Sequence, residues 1–169
     1  MQALGRHLLL ELFDCDAEAL NSLEIVKSSM VEAAKRAQAT IVDVVFHEFN
    51  PFGISGVVVI AESHLAIHTW PEYRFAAVDI FSCGDVLQPQ TAANYLVEQF
   101  GASRASVVEL QRGIFLHASP MPHKPAGARA TGVKVPGARV SGAKVSGARA
   151  TGVKVSGAKV SVAKVSVGG

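Results

Sequence analysis

The chain has 169 residues, 49% of them hydrophobic, enough for one domain with a core of its own. Two cysteines, Cys15 and Cys83, and no apolar run near the ~18 residues of a membrane span exclude a disulfide-built scaffold and a helical membrane protein. The net charge of +2 conceals two opposed parts: residues 1–123 hold seven Lys/Arg against all fourteen Asp/Glu, whereas nine Lys/Arg and no acid follow from Lys124 onward.

Ala3 to Phe13 alternates and is rich in leucine, which predicts a strand. Asp16 is placed to cap a helix running to about Gln38, with Leu20, Leu23, Val26, Met30 and Ala34 on one face. Ala39 to Phe49 is β-branched and strand-like. Asn50-Pro51-Phe52-Gly53 reads as a turn. Gly56 to Ala61 and Leu65 to Trp70 follow as strands, separated by Glu62-Ser63-His64. Phe75 to Ser82 is another strand, Pro89 opens a helix that Gly101 ends, and Arg104 to Gln111 is the last strand. The order β-α-β-β-β-β-α-β, with tight turns in the middle, predicts an α+β domain over residues 1–120. Its sheet should be mainly antiparallel, with the helices on one face.

Residues 121–169 are a basic low-complexity tail. Lys or Arg recurs every five positions from Lys124 to Lys164, in a unit close to Ser-Gly-Ala-Lys-Val. The nonapeptide Gly127 to Val135 returns unchanged at Gly147 to Val155. A period of five matches neither helix nor strand, and no aromatic residue follows Phe115, so the tail is expected to be disordered. It is either a repeat of little consequence or an arm that holds polyanions weakly. The opening Met1 to Arg6 lacks the basic-then-apolar layout of a secretory signal, and with so few cysteines the expected location is the cytoplasm.

Reactive side chains concentrate between Glu62 and Asp85. Ser63 is either a turn residue or a nucleophile whose acyl partner is the Glu62 carbonyl. If the turn is strained, its hydroxyl can attack that carbonyl, shift the chain from amide to ester and eliminate to leave a pyruvoyl group. His68 shares a strand face with Ala66 and Trp70; it is either a structural histidine or the base for that elimination. Cys83 ends an alternating strand as either a small hydrophobe or a proton donor. His64, His68 and Cys83 are also zinc-ligand types, although the helical H-E-x-x-H pattern is missing.

Several separated motifs in order carry a family resemblance. They are Leu4-Gly5-Arg6-His7, Phe46-His47 with Phe49, Gly53 to Ile60, Glu62 to Tyr73, Ala77 to Phe81 with Cys83-Gly84, and Val107-Val108-Glu109. Residues 3–118 resemble the bacterial and archaeal S-adenosylmethionine decarboxylase proenzymes, which use a pyruvoyl group; the tail lies outside the likeness. The resemblance implies a two-layer α/β sandwich and a homodimer of cleaved αβ units, with substrate sites near the interface. It implies cleavage between Glu62 and Ser63, with Ser63 becoming the pyruvoyl group, and no pyridoxal phosphate or metal. His68 matches the processing base, Cys83 the proton donor to substrate, and Ser55 a serine that assists processing. Phe49 and Glu72 match residues that stack on adenine and bind the ribose. The implied reaction, through a Schiff base, releases CO2 from S-adenosylmethionine and yields the aminopropyl donor for spermidine. Arg74 and Asn50 depart from the family pattern beside the nucleoside pocket. A pyruvoyl-dependent arginine or ornithine decarboxylase is therefore the alternative, and a non-processing basic-tailed binding protein is the second.

Overall fold

Alternation along the first strand sets the two faces of the sheet, in a computed structural model that describes residues 2–83, 86–115, 149–155 and 158–165. Strand β1 (Gln2–Phe13) buries Leu8, Leu10 and Leu12 on one face and carries His7, Leu9 and Glu11, all half-buried, on the other. Five further strands belong to the domain: β2 (Ile41–Glu48), β3 (Ile54–Ile60), β4 (Ser63–Trp70), β5 (Phe75–Cys83) and β6 (Arg104–Phe115). Their order in the sheet is β2-β3-β4-β5-β1-β6, and every neighbouring pair is antiparallel. The predicted antiparallel sheet with helices on one face is therefore the observed one, a two-layer α/β sandwich.

The single helix expected from Asp16 to Gln38 is in fact two, α1 (Ala17–Leu20) and α2 (Leu23–Arg36). Asp16 does cap the first, its Oδ1 accepting from the backbone N–H of Glu18 at 2.9 Å and of Ala19 at 3.2 Å. The break falls at Asn21-Ser22 because both side chains have other partners. Ser22 Oγ accepts from Ile25 N and so starts a new helix, while Asn21 Oδ1 accepts from Gly53 N at 3.2 Å. Leu23 thereby lands in a first turn and is exposed, and the buried stripe is Val26, Met30, Ala33 and Ala34. Helix α3 (Pro89–Gln99) packs beside α2, burying Ala92, Ala93 and Leu96; alanines on both helices let the axes come close. Helix α2 covers β2, β3 and β4, and α3 covers β1 and β5, so among the described residues the other sheet face carries no helix. We call it the open face.

The tail was expected to be disordered. It lies outside the described residues except at two segments whose backbone runs as strands, β7 (Arg149–Val155) and β8 (Ala158–Val165). They pair antiparallel with each other, and β8 pairs parallel with β6 from Arg104↔Lys159 to Leu110↔Val165. Locally, Val160 and Val162 keep the two-residue strand period that the five-residue repeat loses over distance. Among the described residues no helix is long and apolar enough to cross a membrane.

Candidate active site

The turn between β3 and β4 holds one peptide bond under unusual constraint. Ser63 pairs with Ile60 on β3 and Ser82 on β5, so the turn leaves only Ala61 and Glu62 to reverse the chain. Ser63 consequently adopts φ 156°, a region that favours glycine and costs a side-chain-bearing residue about 1–3 kcal/mol. Glu62 is tied on both sides: its Oε2 accepts from Thr40 N at 3.1 Å, and its carbonyl accepts from Cys83 N at 2.9 Å. The N–H that polarises the Glu62 carbonyl thus belongs to the residue predicted to donate a proton. Ser63 Oγ lies 3.4 Å from His64 Nδ1.

Cys83 ends β5 one position past the Ser63↔Ser82 pair and faces Gly5 on β1. A Cβ at Gly5 would fall 2.7 Å from the Ser82 carbonyl and 3.1 Å from Cys83 Sγ. Only glycine lets β1 close against the thiol there, which gives the Leu4-Gly5-Arg6-His7 stretch a physical role. Gly84 and Asp85 lie outside the described residues.

The opposite end of β4 holds a different constellation. Ser55 and His68 face each other in register across β3 and β4, with Ser55 Oγ and His68 Nδ1 2.6 Å apart. They border a cleft of ≈330 Å3 walled by Phe49, Phe52 and Trp70, with Glu72 at its rim. All three aromatic rings are exposed, as is suited to meeting a flat ligand. The floor is fixed by Thr69, whose hydroxyl donates to Leu20 O at 2.9 Å and accepts from Ile54 N at 2.8 Å. Gly53, at φ 101°, turns the chain back so that Phe49 N donates to its carbonyl at 2.8 Å. Arg74 points away from this cleft: its Nε donates to Cys15 O at 2.7 Å and its Nη2 to Asp14 O at 3.3 Å. Neither Arg74 nor Asn50 lines the cleft.

The structure therefore joins Glu62, Ser63 and Cys83 at one end and Phe49, Ser55, His68 and Glu72 at the other. It does not join the two sets within a chain. Ser63 and His68 are five strand positions apart, roughly 16 Å. The same spacing tells against zinc: His64 and His68 share a face but stand about 13 Å apart, beyond the reach of one ion. Among the described residues no three His, Cys, Asp or Glu gather to hold a metal.

Between the two ends lies a polar cluster that sequence reasoning missed. His7 Nε2 is buried and stands 3.5 Å from Asp79 Oδ1, and the His7 ring lies 6.3 Å edge-on from His64. The neighbouring His7 chiefly holds the Asp79 carboxyl below the usual range, while burial and then Asp79 push Glu11 up. Burial first, and then the charge of His7, lowers the pKa of His64. No spacing in the chain signals this group, because β1 and β5 are far apart in sequence. Trp70 and Phe52 were also missed as cleft walls; the shared parity of His68 and Trp70 on β4 was the available signal.

The fold and these side chains define a class first: an α/β sandwich enzyme whose candidate reactive groups gather at the two ends of β4. The model of the S-adenosylmethionine decarboxylase family matches residues 6–113, and the chain belongs to that family. It is similar to the S-adenosylmethionine decarboxylase proenzyme of Thermodesulfovibrio yellowstonii, 61% identical over 125 residues that cover 73% of this chain and 93% of that one. The proenzyme of the same name from Acidithiobacillus ferrooxidans is 52% identical over 113 residues, covering 67% of this chain and 85% of the relative. The crystal structure of the adenosylmethionine decarboxylase from Aquifex aeolicus superposes with a TM-score of 0.66 at 34% identity, covering 72% of this chain and all of that one.

Proposed function

We propose that this chain cuts itself between Glu62 and Ser63 and then decarboxylates S-adenosylmethionine. The observation that carries the reading is the Glu62–Ser63 peptide bond, strained at Ser63 φ and polarised by Cys83 N–H at 2.9 Å. Attack of Ser63 Oγ on the Glu62 carbonyl carbon would relieve that strain and leave an ester. Loss of the Ser63 Cα proton then breaks the Cβ–O bond, frees Glu62 as a carboxylate, and water replaces the amine to leave a pyruvoyl group on the 63–169 fragment. Ser63 fits as the source of this group, since its hydroxyl and the polarised carbonyl belong to adjacent residues. Once formed, its ketone supplies a sink for the electron pair left by departing CO2.

The remaining side chains take roles by their positions. Phe49 with Phe52 and Trp70 would stack on a purine, and Glu72 at the cleft rim would accept from ribose hydroxyls. Ser55, 2.6 Å from His68 Nδ1, would orient that ring as a base. The Cys83 thiol would return a proton to the substrate α-carbon. Because roughly 16 Å separates Ser63 from His68 along β4, the two sets would meet only between two copies of the chain. The working unit is accordingly a homodimer in which each site takes Ser63 and Cys83 from one copy and His68, Ser55 and the cleft from the other. The tail would stay outside catalysis as a weak polyanion binder, and the cytoplasm remains the proposed location.

Intact mass of the purified protein tests the first step. Two chains, 1–62 and 63–169, are expected, the second resistant to Edman sequencing and joined to substrate by borohydride; Ser63→Ala should stay whole. CO2 release should be fastest from S-adenosylmethionine. A whole wild-type chain would overturn the reading, and faster turnover of arginine or ornithine would replace the substrate while leaving the mechanism.

A further inference from the structure

We infer that His64 is the base that takes the Ser63 hydroxyl proton in the first step of chain cleavage, leaving His68 to the second. The inference rests on the self-cleavage reading above and divides its two proton transfers between two histidines. His64 Nδ1 is 3.4 Å from Ser63 Oγ in the same chain, whereas His68 of that chain is five strand positions away. The His64 ring is held in place by its neighbours, with the His7 ring 6.3 Å away edge-on and Phe81 5.9 Å away. Around it stand His7 from β1, Asp79 from β5 and Arg112 from β6, while β3 presents the uncharged Val59 opposite. Burial outweighs the Asp79 carboxylate, and His7 and Arg112 add to it, so the ring stays neutral at pH 7 and keeps a lone pair for a proton.

The step then balances. Ser63 Oγ–H gives its proton to His64 Nδ1 as Oγ bonds to the Glu62 carbonyl carbon. The charge moves to the carbonyl oxygen, which accepts from Cys83 N at 2.9 Å. As the C–N bond breaks, His64 returns the proton to the departing Ser63 nitrogen. One amide has become one ester with no net change in protons, and His68 is needed only afterwards, at the Ser63 Cα proton.

Hydroxylamine separates the two steps, because at neutral pH it cleaves esters and spares amides. The full chain is made as wild type, His64→Ala, His64→Gln and His68→Ala, and formation of the 63–169 fragment is timed by intact mass. His64→Ala should cleave at least ~10²-fold slower than wild type, its whole chain should be inert to hydroxylamine, and added imidazole should speed it. His68→Ala should also stay whole, but hydroxylamine should cut it between Glu62 and Ser63. If His64→Ala misfolds by circular dichroism, His64→Gln, which keeps a polar side chain but cannot accept a proton, decides by the same readouts. Cleavage of the folded His64 variant at the wild-type rate, or a whole His64 chain as sensitive to hydroxylamine as His68→Ala, would overturn the assignment. A wild-type chain that never cleaves would remove the Ser63 reading itself, and His64 with it.

Discussion

The two ends of β4 build their chemistry by opposite means. At the Ser63 end the work falls to the backbone: a φ of 156°, a carbonyl bound by Cys83 N–H, and a glycine that admits β1 beside the thiol. At the His68 end it falls to side chains held in ordinary strand register, a 2.6 Å Ser55–His68 contact and exposed aromatic walls over a floor braced by Thr69. Strain suits a bond that is to be broken once. A cleft that must take and release a ligand many times is better made of unstrained side chains on a rigid sheet. The two ends lie roughly 16 Å apart along β4, so neither set of groups reaches the other within one chain.

The strongest way to break this comparison is complementation. Ser63→Ala and His68→Ala alone should each stay uncut. Co-expressed in equal amounts, random pairing should leave about half of the His68→Ala chains cleaved, since half would sit against a copy that supplies His68. Denaturing electrophoresis of differently tagged chains reads the result. No cleavage in the mixture would place both sets of groups in one chain and contradict the division between the ends.

A smaller effect separates the two reactions at the Ser63 end. Cys83→Ala keeps the backbone N–H on the Glu62 carbonyl and should still cut, while its decarboxylation rate falls ~10²–10⁴-fold for want of a positioned proton donor. Full turnover in the variant would reject the thiol. At the other end, Phe49→Ala or Trp70→Ala should leave chain cleavage unchanged and raise KM for S-adenosylmethionine about tenfold, within the ~1–3 kcal/mol of one base–aromatic stack. A fall in kcat with KM constant would mean that the rings do not form a binding wall. The least effect belongs to the tail. Ending the chain at residue 120 should leave cleavage and turnover near wild type, measured on the purified variant, even though it removes the β8 partner of β6. Loss of cleavage would make that pairing a support of the Ser63 end.

How far the site was legible follows the same division. Ser55, His68, Phe49 and Glu72 do meet at one cleft, and local cues reach most of it: parity along β4, the Asn50-to-Gly53 turn, and the hairpin that sets Ser55 opposite His68. The helix break at Asn21-Ser22 was hidden, because Asn21 is diverted by Gly53, thirty-two positions later. Nothing near Ser63 announces that Thr40 N and Cys83 N grip the two oxygen-bearing groups of Glu62.

By itself the sequence determined the strand or helix character of most elements, the alternation along β1, β4 and β5, the reactive residue types around Glu62-Ser63, and the tail's repeat of five. Those properties depend on neighbours a few positions apart. Tertiary structure alone decided that β1 lies between β5 and β6, and with it the closeness of Gly5 to Cys83 and of His7 to Asp79. It also decided the Ser63 backbone angle and the distance that parts Ser63 from His68. The reason is that a leucine-rich strand is satisfied by burial under any helix layer, so its sequence specifies a face but not a neighbour. The neighbour emerges only when all six strands and both long helices close over one core.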